Sequence, residues 1–139
     1  MAVQRTLAII KPDAVERALV GAIVGRIQEA GLHILALRMM RLTAAQARTF
    51  YEVHRDRPFF EPLVEFMTSG PVVVLALEGE DAIRRWRELM GATDPAQAAP
   101  GTLRAAYGQD VRRNAVHGSD APETADRELA FFFPACDLA

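Results

Sequence analysis

The run Val72–Leu77 constrains this chain more than any other stretch: three consecutive valines in an unbroken apolar segment suit a strand and disfavour a helix interior. Ser69-Gly70-Pro71 opens it with a turn. Asp81, after it, caps a helix whose inward face is Ile83, Trp86, Leu89 and Met90. The segments before this strand alternate in the same way. Thr6–Ile10 is a short strand stopped by the breaker Lys11-Pro12-Asp13. From Gly21, Ile23, Val24, Ile27 and Ala30 recur at helical spacing until Gly31, and His33–Leu42 reads as a second strand. Thr43 and Gln46 form a capping box that starts a helix reaching Tyr51 or a little beyond, and Pro58 interrupts it. A short helix over Leu63–Met67 leads back to the valine strand.

Beyond Met90, residues 91–110 lack a sustained period and read as a long ordered loop with one helical turn near Leu103. Asn114–His117 is a brief strand ending at Gly118. Asp120, Pro122 and Glu123 then occupy cap, first and third positions of a last helix running to about Phe132, with Ala125, Leu129 and Phe132 inward. This order predicts an α+β chain: a ferredoxin-like split βαβ sandwich, whose four-stranded antiparallel sheet carries helices on one side.

The chain has 139 residues, half of them hydrophobic, which predicts one domain over residues 1–139. Its 16 basic and 18 acidic side chains give a formal charge of −2, too even for a general polyanion binder, so nucleic acid is not an expected partner. The six-residue valine segment falls far short of the roughly 20 residues that span a bilayer. Met1–Ile10 also lacks a signal-peptide pattern, which predicts a cytoplasmic protein with no membrane partner. Cys136 is the single cysteine and has no internal partner for a disulfide.

There is no glycine-rich phosphate loop, dinucleotide fingerprint or metal-finger spacing, so any bound phosphate must be held by side chains. Fifteen of the 16 cations are arginine, and Lys11 is the only lysine; either this is compositional accident or a compact ammonium is needed at that point. Arg84, Arg85 and Arg87 on one helix, and Arg104, Arg112 and Arg113 in or beside the long loop, can converge on an oligophosphate or simply line a wet surface. Of these, Arg87 and Arg104 are expected to be functional. His117 ends a short strand and is followed by Gly118-Ser119-Asp120 and a helix start. Glycine leaves the ring unscreened, the hydroxyl offers a partner, and an imidazole that is mostly neutral near pH 7 can attack phosphorus directly. The competing reading is a histidine that merely finds a hydrogen-bond partner at a strand end, which is the reading given to His33. Of the adjacent rings Phe59 and Phe60, the second packs inward and the first is free to stack on a planar ligand.

Together these segments resemble the nucleoside diphosphate kinase family. The matching stretches are Ile9-Ile10-Lys11-Pro12-Asp13, Arg57-Pro58-Phe59-Phe60, Thr68-Ser69-Gly70-Pro71-Val72-Val73, Leu89-Met90-Gly91-Ala92-Thr93-Asp94-Pro95, Pro100-Gly101-Thr102-Leu103-Arg104 and Asn114-Ala115-Val116-His117-Gly118-Ser119-Asp120. They run in order over nearly the whole chain, and the His-Gly-Ser-Asp segment is the most specific.

The resemblance implies transfer of the terminal phosphate of a nucleoside triphosphate to a nucleoside diphosphate by a ping-pong route, through a phosphohistidine at Nδ1 of His117. It implies that Glu128 orients the other ring nitrogen with Ser119 in support, that Phe59 stacks on the base and that Val111 covers its opposite face. Lys11 and Asn114 would bind the sugar hydroxyls and neighbouring phosphate oxygens. Arg87, Thr93 and Arg104 would clamp the oligophosphate, with His54 at the first phosphate and Tyr51 beside the nucleophile. Mg²⁺ would be held by the nucleotide phosphates with no direct protein ligand, and Asp120 would at most contact it through water. Three positions depart from the family pattern: Ala106 stands where an acidic residue is common, and Arg112 and Arg113 make the approach to Asn114 unusually basic. The chain stops soon after Phe133, so the homo-oligomer implied by the family is expected to be a tetramer in preference to a hexamer. The alternative is a nucleotide-binding regulatory module on the same fold whose catalysis has lapsed.

Overall fold

A computed structural model describes residues 3–138. Its sheet has four strands, β1 (Val3–Ile10), β2 (His33–Met40), β3 (Val72–Glu80) and β4 (Val116–Gly118). They lie in the order β2-β3-β1-β4, and every neighbouring pair is antiparallel. Seven α-helices join them: α1 (Pro12–Glu16), α2 (Val20–Glu29), α3 (Ala44–Phe50), α4 (Phe60–Met67), α5 (Ala82–Met90), α6 (Leu103–Tyr107) and α7 (Pro122–Phe132). The expected α+β split βαβ sheet is present. No helix among the described residues is long and apolar enough to cross a membrane.

The helices cover both faces of the sheet, not the one side expected. Leu7, Ile9, Val72, Val74 and Ala76 meet α3, α4 and α7 on one face. Ala8, Ile10, Val73, Leu75 and Leu77 meet α2, α5 and α6 on the other. Successive side chains of a strand point to opposite faces, so an unbroken apolar run such as Val72–Leu77 must bury both.

Several boundaries move for local reasons. β1 and β3 reach outward to Val3 and Glu80 because polar residues at that end pair strand to strand, including Arg5 and Glu78 at 3.0 Å. Lys11-Pro12-Asp13 ends β1 as expected but also starts α1, with Pro12 in the first turn, where its missing N–H costs nothing. Thr43 and Gln46 form the predicted capping box. Asp81 does not cap α5 with its side chain: its φ is 54°, and its carboxylate instead accepts from Arg84 at 2.8 Å. Nor does Asp120 cap α7, whose N-cap is Ala121; the Asp120 carboxylate faces Arg87. The last strand begins at Val116, two residues later than expected, because Ala115 turns the chain with a φ of 75° and Val116 N donates to Asn114 O at 2.9 Å. That three-residue turn is strained, and it stands immediately before the strand that carries His117.

Candidate active site

β1 and β4 are neighbours with Ile9 opposite His117, so the segments leaving their paired ends lie side by side. Lys11 follows β1, and its N–H donates to Ala115 O at 2.8 Å. Asp13, in the first turn of α1, accepts from Ala115 N–H at 3.1 Å. The strained turn is thus held from both sides by the residues flanking Pro12. Above it the Lys11 ammonium donates to Asn114 Oδ1 at 2.8 Å, and the Asn114 amide donates to Thr93 O at 2.9 Å and Val111 O at 3.2 Å.

Glu128 lies on the inward stripe of α7 with Ala125, Leu129 and Phe132, which explains a carboxylate that is only 4% exposed. Its Oε1 accepts from Ser119 Oγ at 2.8 Å and lies 3.2 Å from His117 Nε2. An ionised carboxylate only accepts, so the shared proton sits on Nε2, and in the neutral form of the ring the lone pair is on Nδ1. Burial pushes the Glu128 carboxyl up, but hydrogen bonding to His117, that ring's charge and Ser119 outweigh it, and the group ends below its ordinary value. The His117 side chain is 19% exposed. Phe50 and Tyr51 meet the ring edge-on, with centroids 5.4 and 6.1 Å away.

His117 opens into a cleft of about 500 Å³. Its lining includes the neighbouring rings Tyr51, His54 and Phe59, and a second group in which Asn114 bonds the backbone of Thr93 and Val111. Lys11, Arg87, Arg104 and Arg112 give it four cations, the last an arginine not expected to take part. Every candidate residue lines the cleft except Ser119 and Glu128, which bond to each other, with Glu128 also on the His117 ring. Phe59 lines the cleft and is half-exposed, while Phe60 is buried as expected. His33 is exposed and does not line the cleft.

Burial dominates the electrostatics. It lowers Lys11 to about 8, helped by the Arg104 charge and opposed by Asp13 and Asp110. It lowers Arg104 to about 10, with Arg87 adding repulsion. Burial also raises the Tyr51 hydroxyl, as does the Glu128 charge. Two cations held below their ordinary affinity for protons are primed to gain from an anion in the cleft. Arg104 donates to Gly91 O at 2.9 Å and Val116 O at 2.8 Å, which leaves its buried Nε without a partner among the described residues. Arg87 is exposed and engages Asp120 at 2.6 Å. No cluster of three acidic, histidine or cysteine side chains that could hold a metal occurs among the described residues. Asp120 is the one carboxylate lining the cleft, and Arg87 already occupies it.

Asp13, Phe50 and Leu63 carry no functional signal of their own in the sequence. Leu63 lines the cleft, and its spacing of four from Phe59 was the available sign. Gly118 serves a different end from the one expected. A Cβ there would meet Met90 Cε and Trp86 Cδ1, each at 2.6 Å, so glycine lets the β4 backbone lie against the indole, whose Nε1 donates to His117 O at 3.1 Å.

The family model described as nucleoside diphosphate kinase matches residues 4–138. A nucleoside diphosphate kinase of Bordetella pertussis is 58% identical over 138 residues, 99% of this chain and 98% of that one. One of Nitrosospira multiformis is 59% identical with the same coverage. Among solved structures, the Aquifex aeolicus nucleoside diphosphate kinase superposes with a TM-score of 0.97 at 51% identity, covering 99% of this chain and all of that one. The Halobacterium salinarum nucleoside diphosphate kinase in complex with CDP gives 0.95 at 45% identity, covering 99% and 92%. Matched along its length in sequence and in fold, the chain belongs to the nucleoside diphosphate kinase family.

Proposed function

We propose that the chain moves the terminal phosphate of a nucleoside triphosphate to a nucleoside diphosphate in two half-reactions through His117. The observation that carries this is the His117–Glu128 contact at Nε2, which leaves the Nδ1 lone pair free at a cleft lined by four cations. Nδ1 attacks the terminal phosphorus, the bond from phosphorus to the bridging oxygen breaks, and the diphosphate leaves with that electron pair. A second diphosphate then attacks the phosphohistidine through a terminal oxygen, and the N–P bond breaks. His117 Nε2 keeps its proton throughout, and the positive charge on the phosphorylated ring is balanced by Glu128.

Phosphoryl transfer gains most from positioning and from charge stabilisation of the equatorial oxygens. Arg104, Arg87 and Thr93 form the oligophosphate clamp, with Arg87 released from Asp120 as phosphate replaces the carboxylate. Lys11 and Asn114 hold sugar hydroxyls and neighbouring phosphate oxygens, His54 meets the first phosphate, and Tyr51 walls the nucleophile. Phe59 and Val111 take the base between them, and stacking accepts any base. Mg²⁺ would be held by the nucleotide phosphates and would supply charge there, with Asp120, the carboxylate lining the cleft, contacting it at most through water. Incubation with terminally labelled ATP tests this reading. Acid-labile, alkali-stable label should appear on the chain, chase onto any added diphosphate, and give parallel double-reciprocal plots; plots that intersect would exclude a ping-pong route.

Lys11 makes the activity depend on pH. Its ammonium is charged below about 8 and neutral above, and bound phosphate stabilises the charged form, so binding takes up a proton above that point. KM for the diphosphate should rise up to about tenfold per pH unit beyond it. In Lys11→Met the rise should vanish, as a KM profile between pH 7 and 10 would reveal.

The chain acts as a homo-oligomer. The support is β2, an outer strand that leaves one backbone edge unpaired and exposes Leu37 and Met39 to 48% and 55%. Light scattering distinguishes a tetramer from a hexamer, and Leu37→Lys should lower the measured mass.

A further inference from the structure

We propose that Arg17 and Arg26, neither of which lines the cleft, are positioning residues that hold α6, and with it Arg104, at the phosphate end of the site. The inference rests on the nucleotide reading of that cleft.

α6 has five residues, too few to persist as a helix on its own, and it sits in the long stretch between α5 and β4. Its interior holds are Leu103, fully buried, and the Thr102 hydroxyl, which accepts from Ala105 N–H at 3.3 Å. The α1–α2 segment grips it from outside at both ends. Arg17 donates to Tyr107 O at 2.6 Å, on the last residue of α6, where helical carbonyls lack partners within the helix and a positive charge is favoured. Arg26 donates to Gly101 O at 2.5 Å, immediately before the Thr102 cap.

These grips matter because Arg104 has little tolerance for movement. Its guanidinium spans Gly91 O at the end of α5 and Val116 O beside the nucleophile, so a displacement of α6 by about 1 Å breaks both bonds. Arg17 and Arg26 are anchored on the other side to the segment that begins at Lys11, and α2 buries Ile23 and Ile27 on the sheet face that also receives Leu103. Ala18, directly after Arg17, has a left-handed φ of 60°, a costly choice for alanine that sharpens the turn between α1 and α2. The two arginines therefore link the ammonium site to the guanidinium site through the backbone, without touching the ligand.

The test is a set of cycles read by titration calorimetry with ADP, each arginine being replaced with Arg104 present and in Arg104→Met. Arg17→Ala and Arg26→Ala should each weaken ADP binding about tenfold when Arg104 is present and less than twofold when it is absent. Arg17→Lys and Arg26→Lys, which still donate to one carbonyl, should recover most of the affinity, and they carry the cycles should an alanine variant fail to fold. Equal losses in both backgrounds, or no loss in either, would overturn the inference while leaving the phosphotransfer reading intact. Coupled losses in a chain that forms no phosphohistidine would do the reverse, and a parent chain that does not bind ADP would remove both.

Discussion

Alanine in place of His117 should leave a chain that folds and binds nucleoside diphosphates, incorporates no phosphate, and turns over at least about 10⁴-fold more slowly. The ring supplies the lone pair that forms the new bond, and of the two imidazoles lining the cleft, His54 and His117, it is His117 that has a carboxylate fixing its tautomer. Tyr51, also in the lining, is held protonated by burial and by the Glu128 charge. Lys11 is committed to Asn114. The cations of the cleft remain, so affinity for a diphosphate should change little. Glu128 acts through the ring, so Glu128→Ala should slow the parent chain yet add nothing once His117 is gone. Stability should fall by about 1 kcal/mol, because Glu128 stays buried with Ser119 as its remaining hydrogen-bond partner. Equal turnover by the parent chain and His117→Ala would instead fit a module on this fold whose catalysis has lapsed. Radiolabel on the denatured chain and single-turnover rates distinguish the two.

His117 is legible in the sequence because its signals are local: a strand end, a glycine, a hydroxyl and a helix start within a few residues. The capping box and the valine strand are legible for the same reason, since side-chain chemistry and β-branching act over one turn or one strand. What connects distant segments left weaker traces. Arg87 and Asp120 are 33 positions apart and meet because α5 and the turn after β4 share one rim of the cleft. Asp81 and Asp120 both read as caps, and each was drawn instead to an arginine, so a neighbouring charge displaced the local preference. The turn at Ala115 is invisible in composition because alanine carries no mark of a positive φ; Lys11 and Asp13, about a hundred positions earlier, hold it in place. Covering of both sheet faces was written in the unbroken apolar strands, but an element order alone does not say which face each helix takes.

Gly118→Ala should destabilise the fold by about 2–4 kcal/mol and slow phosphotransfer as well, although one methyl group is the whole change. Nothing in the backbone at this position demands glycine, since its φ lies outside the left-handed region. The obstacle is space. The added carbon would stand 2.6 Å from Met90 Cε and Trp86 Cδ1 and 2.7 Å from Trp86 Nε1. Met90 Cε ends a flexible chain and can rotate away. The indole cannot, being fully buried among α5 and sheet side chains with its N–H fixed on His117 O. Relief must therefore come from β4, a three-residue strand at the sheet edge, and its movement carries His117 off Glu128 and loosens Val116 O from Arg104. Denaturant midpoints and the rate of phosphohistidine formation should consequently fall together. Trp86→Phe narrows the obstructing ring, so the penalty of Gly118→Ala measured in that background should shrink to about half. An undiminished penalty there would place the clash elsewhere than against the indole.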